Sequence, residues 1–198
     1  MAKGPRYRRP LRRRDEGKTN YHRRLKLIKS KSIRAVIRAS NNNITVQLIE
    51  SKAGGDKVLV SAFSKELSKK FGWKANTGNI PTAFLTGYLA GVRAKKQSLT
   101  KAILDLGIFY HHNRVLAAFK GLLKAGIEIP YREQFFPENF DERINGSHIE
   151  NYAKYLKNED PEIYQQRFSA YLKKQKIDPL KIGAYFSTTL KTIENNVK

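Results

Sequence analysis

The sequence predicts an α/β fold, a layered sandwich with a mixed sheet, carrying a basic N-terminal arm in front and a helical C-terminal extension behind. Three observations predict it. Short alternating segments give way to a helix–strand–helix–strand succession. An arginine-rich start has almost nothing to bury, and the last third breaks into helix-like stretches at prolines. These divide the chain into an arm and short helix over 1–30, an α/β core over 31–130, and an extended and helical region over 131–198. Of 198 residues, 40% are apolar and 11% aromatic, enough for a core.

Charge is the strongest compositional signal. The 39 Lys and Arg exceed the 17 Asp and Glu by 22. The excess is graded: +12 over residues 1–34, +9 over 35–136 and +1 over 137–198. A cationic excess gathered at one end points to a polyanionic partner more than to solubility. In the arm, Arg6, Arg8, Arg9, Arg12, Arg13 and Arg14 supply planar forks that pair with phosphate oxygens. Tyr7 among them offers a ring on which an unpaired base can stack. The arm therefore reads as an RNA contact that orders on binding, against the plainer readings of a solvated tail or an import signal. Gly17-Lys18-Thr19 resembles the close of a phosphate-binding loop, but Arg12 stands where the motif needs glycine and no strand precedes it. Thr19 is instead expected to cap a helix over Tyr21–Ser30, with Tyr21, Leu25 and Ile28 on its docked side and Arg23, Arg24 and Lys26 around the rest.

The core elements follow in order. Ile33–Ser40 alternates as a strand, Asn41-Asn42-Asn43 turns the chain, and Ile44–Glu50 forms a second strand. A glycine turn at Ser51–Asp56 leads into a third strand, Lys57–Phe63. Arg34 and Arg38 share one face of the first strand, about 14 Å apart; they suit backbone recognition, or form an ordinary solvated face. Ser64–Asn79 is a connector with a short helical turn and then a loop. Its Lys74 and Asn76 are candidate contacts, while Trp73 is either core or a stacking platform, with core favoured by its apolar area. Pro81 suits the first turn of a helix reaching Gln97. Its stripe of Ala83, Gly87 and Gly91 is expected to let a backbone approach the sheet closely. Ala102–Leu106 reads as a buried strand and Arg114–Ala125 as an amphipathic helix capped by Gly126, with Ile127–Ile129 extended beyond it. Tyr131–Ser147 lacks a period and is expected to wrap over a partner. Ile149–Lys157, Glu162–Lys174 and Leu180–Asn195 are helix candidates, and Tyr164, Phe168, Tyr171 and Leu172 make a stripe on the second.

Signals for catalysis are missing. Cysteine is absent, which removes thiolate chemistry, disulfides and cysteine-ligated metals. His111 and His112 are adjacent and point apart in any regular element, and Asp105 is the lone acid embedded in a core strand. Neither a cofactor, a metal nor a small-molecule substrate is expected. No run approaches the length of a membrane span, and MAKGPRYRRPLRRR lacks a secretory apolar segment, so an intracellular location is expected. An RNA-processing enzyme and a nucleic-acid chaperone are the competing readings.

Several stretches match a known family. Gly4-Pro5-Arg6-Tyr7-Arg8, Arg12-Arg13-Arg14 and Gly17-Lys18-Thr19-Asn20-Tyr21 with Arg24-Leu25-Lys26-Leu27 resemble the start of the archaeal large-subunit ribosomal protein L-eighteen family, whose eukaryotic counterpart is named L-five. Pro81-Thr82-Ala83 with Leu85-Thr86-Gly87, Arg114-Val115 with Ala117-Ala118, and Arg143-Ile144 with Gly146 continue the match in order. The resemblance implies a cytoplasmic, non-catalytic protein of the large subunit's central protuberance. It implies binding to 5S rRNA, contacts with large-subunit rRNA and neighbouring ribosomal proteins, and a ribonuclease-H-like fold. Carried onto this sequence, the arm and Lys18, Thr19, Asn20, Tyr21, Arg23, Arg24 and Lys26 are the implied rRNA contacts. The hairpin tip at Asn42 and the loop at Lys74 and Asn76 join them less firmly.

Overall fold

The computed structural model describes residues 4–108 and 112–196. Its centre is a sheet of four strands among the described residues: β1 (Arg34–Ala39), β2 (Ile44–Lys52), β3 (Gly55–Phe63) and β4 (Ile103–Asp105), in the order β3-β2-β1-β4. The first three strands are antiparallel, while β4 runs parallel to β1, so the sheet is mixed. Alternation then sorts the side chains. Ala35 and Ile37 of β1, with Ile44, Val46 and Leu48 of β2, are fully or almost fully buried in the main core. Arg34, Val36 and Arg38 turn to the other face.

After a short connector helix, α3 (Ser64–Lys70), two helices cover the apolar face, α4 (Ile80–Lys96) and α5 (Asn113–Lys124). Asn79 caps α4 by accepting from the Thr82 N–H at 2.9 Å, and Pro81 occupies its first turn. The small-residue stripe works differently from expectation: it faces α5, not the sheet. A Cβ built on Gly87 would lie 1.9 Å from the Ala118 carbonyl oxygen, and one on Gly121 would lie 2.2 Å from that of Phe84. The two helices thus meet backbone to backbone through reciprocal glycines. On α5, Val115, Leu116, Phe119 and Leu122 are buried as the periodicity requires, and Leu123 is half-buried. Trp73 is core, 1% exposed, with its indole N–H donating to the Asn76 carbonyl at 3.3 Å. Ile127–Ile129 forms no strand; a single bridge joins Glu128 to Lys101.

The last third corrects a second expectation. Residues 131–147 are not simply extended: they wrap over this chain's own core, because their aromatics find Phe119. Tyr131 and Phe135 meet the Phe119 ring edge-on, and Phe136 stacks on it at 5.5 Å. The segment also contains a helix, α6 (Phe140–Asn145), that buries Phe140 and Ile144. Beyond it come α7 (Ser147–Glu159), α8 (Pro161–Arg167) and α9 (Ile182–Asn196). The single helix expected over Glu162–Lys174 divides into α8 and a π-helical turn over Ala170–Gln175. Its stripe nonetheless packs as expected: Phe168 is buried with Ala153 and Leu156 of α7, and Tyr164, Tyr171 and Leu172 close around them. Ile182, Phe186 and Ile193 of α9 belong to the main core, and Tyr88 of α4 donates to Glu194 at 2.9 Å. Burial, then that hydrogen bond and the carboxylate's charge, push the Tyr88 phenol up to about 12. No helix of the described residues is long and apolar enough to cross a membrane.

Candidate nucleic-acid interface

The arm lies on the sheet face that α4 and α5 leave open. Arg6, Arg8, Arg9, Arg12, Arg13 and Arg14 are all exposed, and Tyr7 is 49% exposed. A short helix, α1 (Arg12–Asp15), ends at Gly17, whose φ of +64° suits glycine and lets Lys18 and Thr19 donate back to the Arg13 carbonyl. Glu16 neutralises part of this cluster through Lys18 at 2.7 Å and Arg12 at 3.6 Å. Both pairs are solvent-exposed and weak. Arg6, Arg8, Arg9 and Arg14 have no ion pair among the described residues.

The second helix, α2 (Tyr21–Lys29), is capped by Asn20 and not by Thr19. The Asn20 side chain accepts from the Arg23 N–H at 3.1 Å, while the Thr19 hydroxyl accepts from the Arg13 guanidinium at 2.9 Å. Asn20→Ala is therefore expected to cost about 1 kcal/mol of α2 stability. Hydrogen exchange of the α2 amides measures it, with Thr19→Ala leaving them unchanged. The expected docked side holds in part, Tyr21 and Ile28 being half-buried. No residue of α2 is fully buried, and Leu25 is exposed. Polar reach holds the helix instead: Arg23 donates to the Gly107 carbonyl at 3.2 Å, and Arg24 pairs with Asp56 at 2.8 Å. Lys26 points to solvent, and Tyr21 is half-buried.

Beneath α2 runs a network that reassigns Arg34. Parallel register sets Asp105 beside Val36, between Arg34 and Arg38 on the same face. The carboxylate accepts from Arg34 and from Arg38, each at 2.9 Å, and from the Gly107 N–H at 2.9 Å. Arg34 also reaches Asp56 at 2.6 Å and the Ser51 hydroxyl at 3.1 Å. At 2% exposure it presents no guanidinium to a partner, and the expectation that it contacts RNA is withdrawn. Arg38 forks onto the Asp105 carboxylate and carbonyl but keeps 47% of its side chain exposed. Burial would raise the Asp105 carboxyl, but the Arg38 charge and hydrogen bond, the Gly107 amide and Arg34 together hold it below the ordinary range. Asp56 is held low in the same way, Arg34 and Arg24 outweighing its burial. Between the arm and this network opens a cleft of about 430 Å³, lined by Arg13, Lys18, Arg23 and Arg38 among others.

A second patch joins the hairpin tip to the connector loop. The Thr77 hydroxyl donates to the Asn42 carbonyl at 2.7 Å, and a Cβ on Gly78 would stand 2.9 Å from the Asn41 carbonyl oxygen. Arg114 gathers the carbonyls of Ser40, Asn41 and Gly78 within 3.2 Å. Asn42, Lys74 and Asn76 lie exposed on this patch. It stands beyond the end of β1, the end at which parallel β4 delivers Gly107 to the arm. Sequence reasoning assigned Arg114 only to a helix; its role in clasping two loops has no local signature.

The described residues gather cations, not metal ligands, at this surface. No group of three or more metal-ligating side chains occurs among the described residues, and His111 lies outside them. His112 is lowered by burial and by the neighbouring Arg114 charge. Known proteins agree in kind. Residues 5–100 match the family described as ribosomal large subunit proteins 60S L5 and 50S L18. The chain is 46% identical over its full length to large ribosomal subunit protein uL18 of Aeropyrum pernix, spanning 92% of that protein. It is 45% identical over 98% of both chains to the uL18 of Thermofilum pendens. The molecule is thus a large-subunit ribosomal protein, a structural component of the cytoplasmic ribosome and not an enzyme. It belongs to the uL18 family, the 50S L18 and 60S L5 proteins.

Proposed function

We propose that the chain binds 5S rRNA and helps anchor it to large-subunit rRNA in the central protuberance. The observation that carries this is the exposed arginine arm, whose Arg13 lines one cleft with Lys18, Arg23 and Arg38. Phosphates of a folded RNA meet Arg6, Arg8, Arg9, Arg12, Arg13, Arg14, Lys18 and Lys26, and Tyr7 stacks on an unpaired base. Arg23, Arg24 and Arg38 already hold protein partners and set the position of the arm. The layered domain is read as a ribonuclease-H-like fold without its catalysis; the strand order, antiparallel except for its last pair, supports this.

The test is 5S rRNA binding by the full chain and by a variant with the six arm arginines replaced by alanine, across a salt series. Loss of each phosphate contact lowers the slope of log K against log salt by about 0.7–0.9. The variant is expected to bind far more weakly and with a flatter slope. An unchanged slope overturns the assignment.

A further inference from the structure

On the side of the molecule away from the arm, a cleft of about 510 Å³ opens between α5 and the segment leading into α6. Its wall is aromatic: Phe84, Tyr131, Phe136 and Phe186 all line it. Most of these rings are used up in packing. Phe84 and Phe186 are buried against each other at 5.7 Å, and Phe136 lies against Phe119 and Phe140. Tyr131 differs, being 51% exposed while its edge-on contacts with Phe119 and Phe136 fix its orientation. Two ammonium groups overhang the rings, Lys120 5.5 Å from the Phe136 centroid and Lys124 5.8 Å from that of Phe84. Asp141 is the only acid in the lining, and its pair with Lys120 at 2.7 Å leaves its own side chain 76% exposed.

We infer that this cleft receives an unpaired nucleotide of ribosomal RNA, at a point distinct from the stretch held by the arm. A ring packed at right angles to two neighbours, with half of its surface still exposed, is a surface on which a base stacks, and a nearby ammonium is what the attached phosphate needs. The Asn145 side chain in the lining carries both a donor and an acceptor for a base edge. The charge favours RNA over an acidic peptide only together with the ring: a carboxylate would use the lysines and leave Tyr131 without a partner. The inference rests on the reading of the chain as an rRNA binder. It adds that contact occurs on opposite faces of the sheet, with the arm on one and this cleft beyond the helices on the other.

The probe is a single-stranded oligouridine carrying 4-thiouridine, photo-cross-linked to the full-length chain and mapped by mass spectrometry. Cross-links to the peptide spanning Tyr131 are expected alongside those to the arm, and to persist when the six arm arginines are alanine. In that arm-neutral background, Tyr131→Ala is expected to weaken oligonucleotide binding about tenfold, and Lys124→Glu to weaken it comparably. Both sites are exposed, so the fold survives, as circular dichroism would verify. Cross-links confined to the arm, or binding unmoved by both substitutions, overturn the cleft while leaving the arm reading standing. A Glu-Tyr-rich peptide that occupies the cleft when the oligonucleotide does not would also overturn it. Loss of 5S rRNA binding on arm substitution tests the other reading separately.

Discussion

Asp105→Asn is expected to destabilise the fold by about 3–5 kcal/mol, measured by chemical denaturation at pH 7. The carboxylate is the shared anion of Arg34 and Arg38, and Arg34 is almost wholly removed from water. Removing one partner of a buried pair leaves the other charge desolvated and uncompensated, which costs more than the pair itself contributes. Asp56 still faces Arg34 in the variant, which sets the expectation at the lower end of that range. The pH dependence follows from the sign of the shift. The folded-state pKa lies below the ordinary 3.8, so the stabilisation is complete above that value and disappears as pH falls through the lowered one. Wild type and variant should therefore converge in acid. A gap between them as wide at pH 2 as at pH 7 would show that Asp105 acts through packing, not charge.

Gly87→Ala is expected to cost at least about 3 kcal/mol, although alanine in a helix interior normally gains about 1 kcal/mol over glycine. The added methyl would sit 1.9 Å from the Ala118 oxygen, and the obstacle is backbone, which cannot rotate aside. Separating α4 from α5 by the ångström or more required would loosen Phe84, Leu122 and the sheet contacts below them. Gly121→Ala meets the Phe84 carbonyl from the other side and should act alike. The double variant should be less destabilised than the sum, since one displacement relieves both clashes. Thermal melts of the three variants decide this; a neutral Gly87→Ala would mean the helices are not in backbone contact.

How far the sequence could be read depends on where each cause lies. The meander, α4 and α5 declared themselves through periodicity and turn residues, because those signals are local. Trp73 went inside for the area it carries. Arg34 misled for the opposite reason: its partner Asp105 lies 71 residues away, and the alternation of β1 says which face a side chain takes, not what waits there. A signal exists all the same, since the lone acid of a buried three-residue strand needs cations beside it. The glycine stripe was recognised and given the wrong neighbour, because its counterpart Gly121 sits singly on α5. Residues 131–147 show no period of their own because the ring that organises them, Phe119, belongs to a different element. That the arginines of residues 6–14 are exposed followed from composition, since they have nothing to bury. That Asn20, not Thr19, caps α2 depended on which hydroxyl or amide the Arg13 side chain claimed.

Because α9 supplies Ile182, Phe186 and Ile193 to the same core as β1, that core cannot be sealed until residues 182–193 have been synthesised. At translation rates of about 5–20 residues per second, the arginines emerge roughly 10–40 s ahead of that moment. For that interval a nascent chain carries a fully formed cationic lure and an unfinished interior. A stray polyanion can therefore meet residues 4–26 well before a folded body surrounds them.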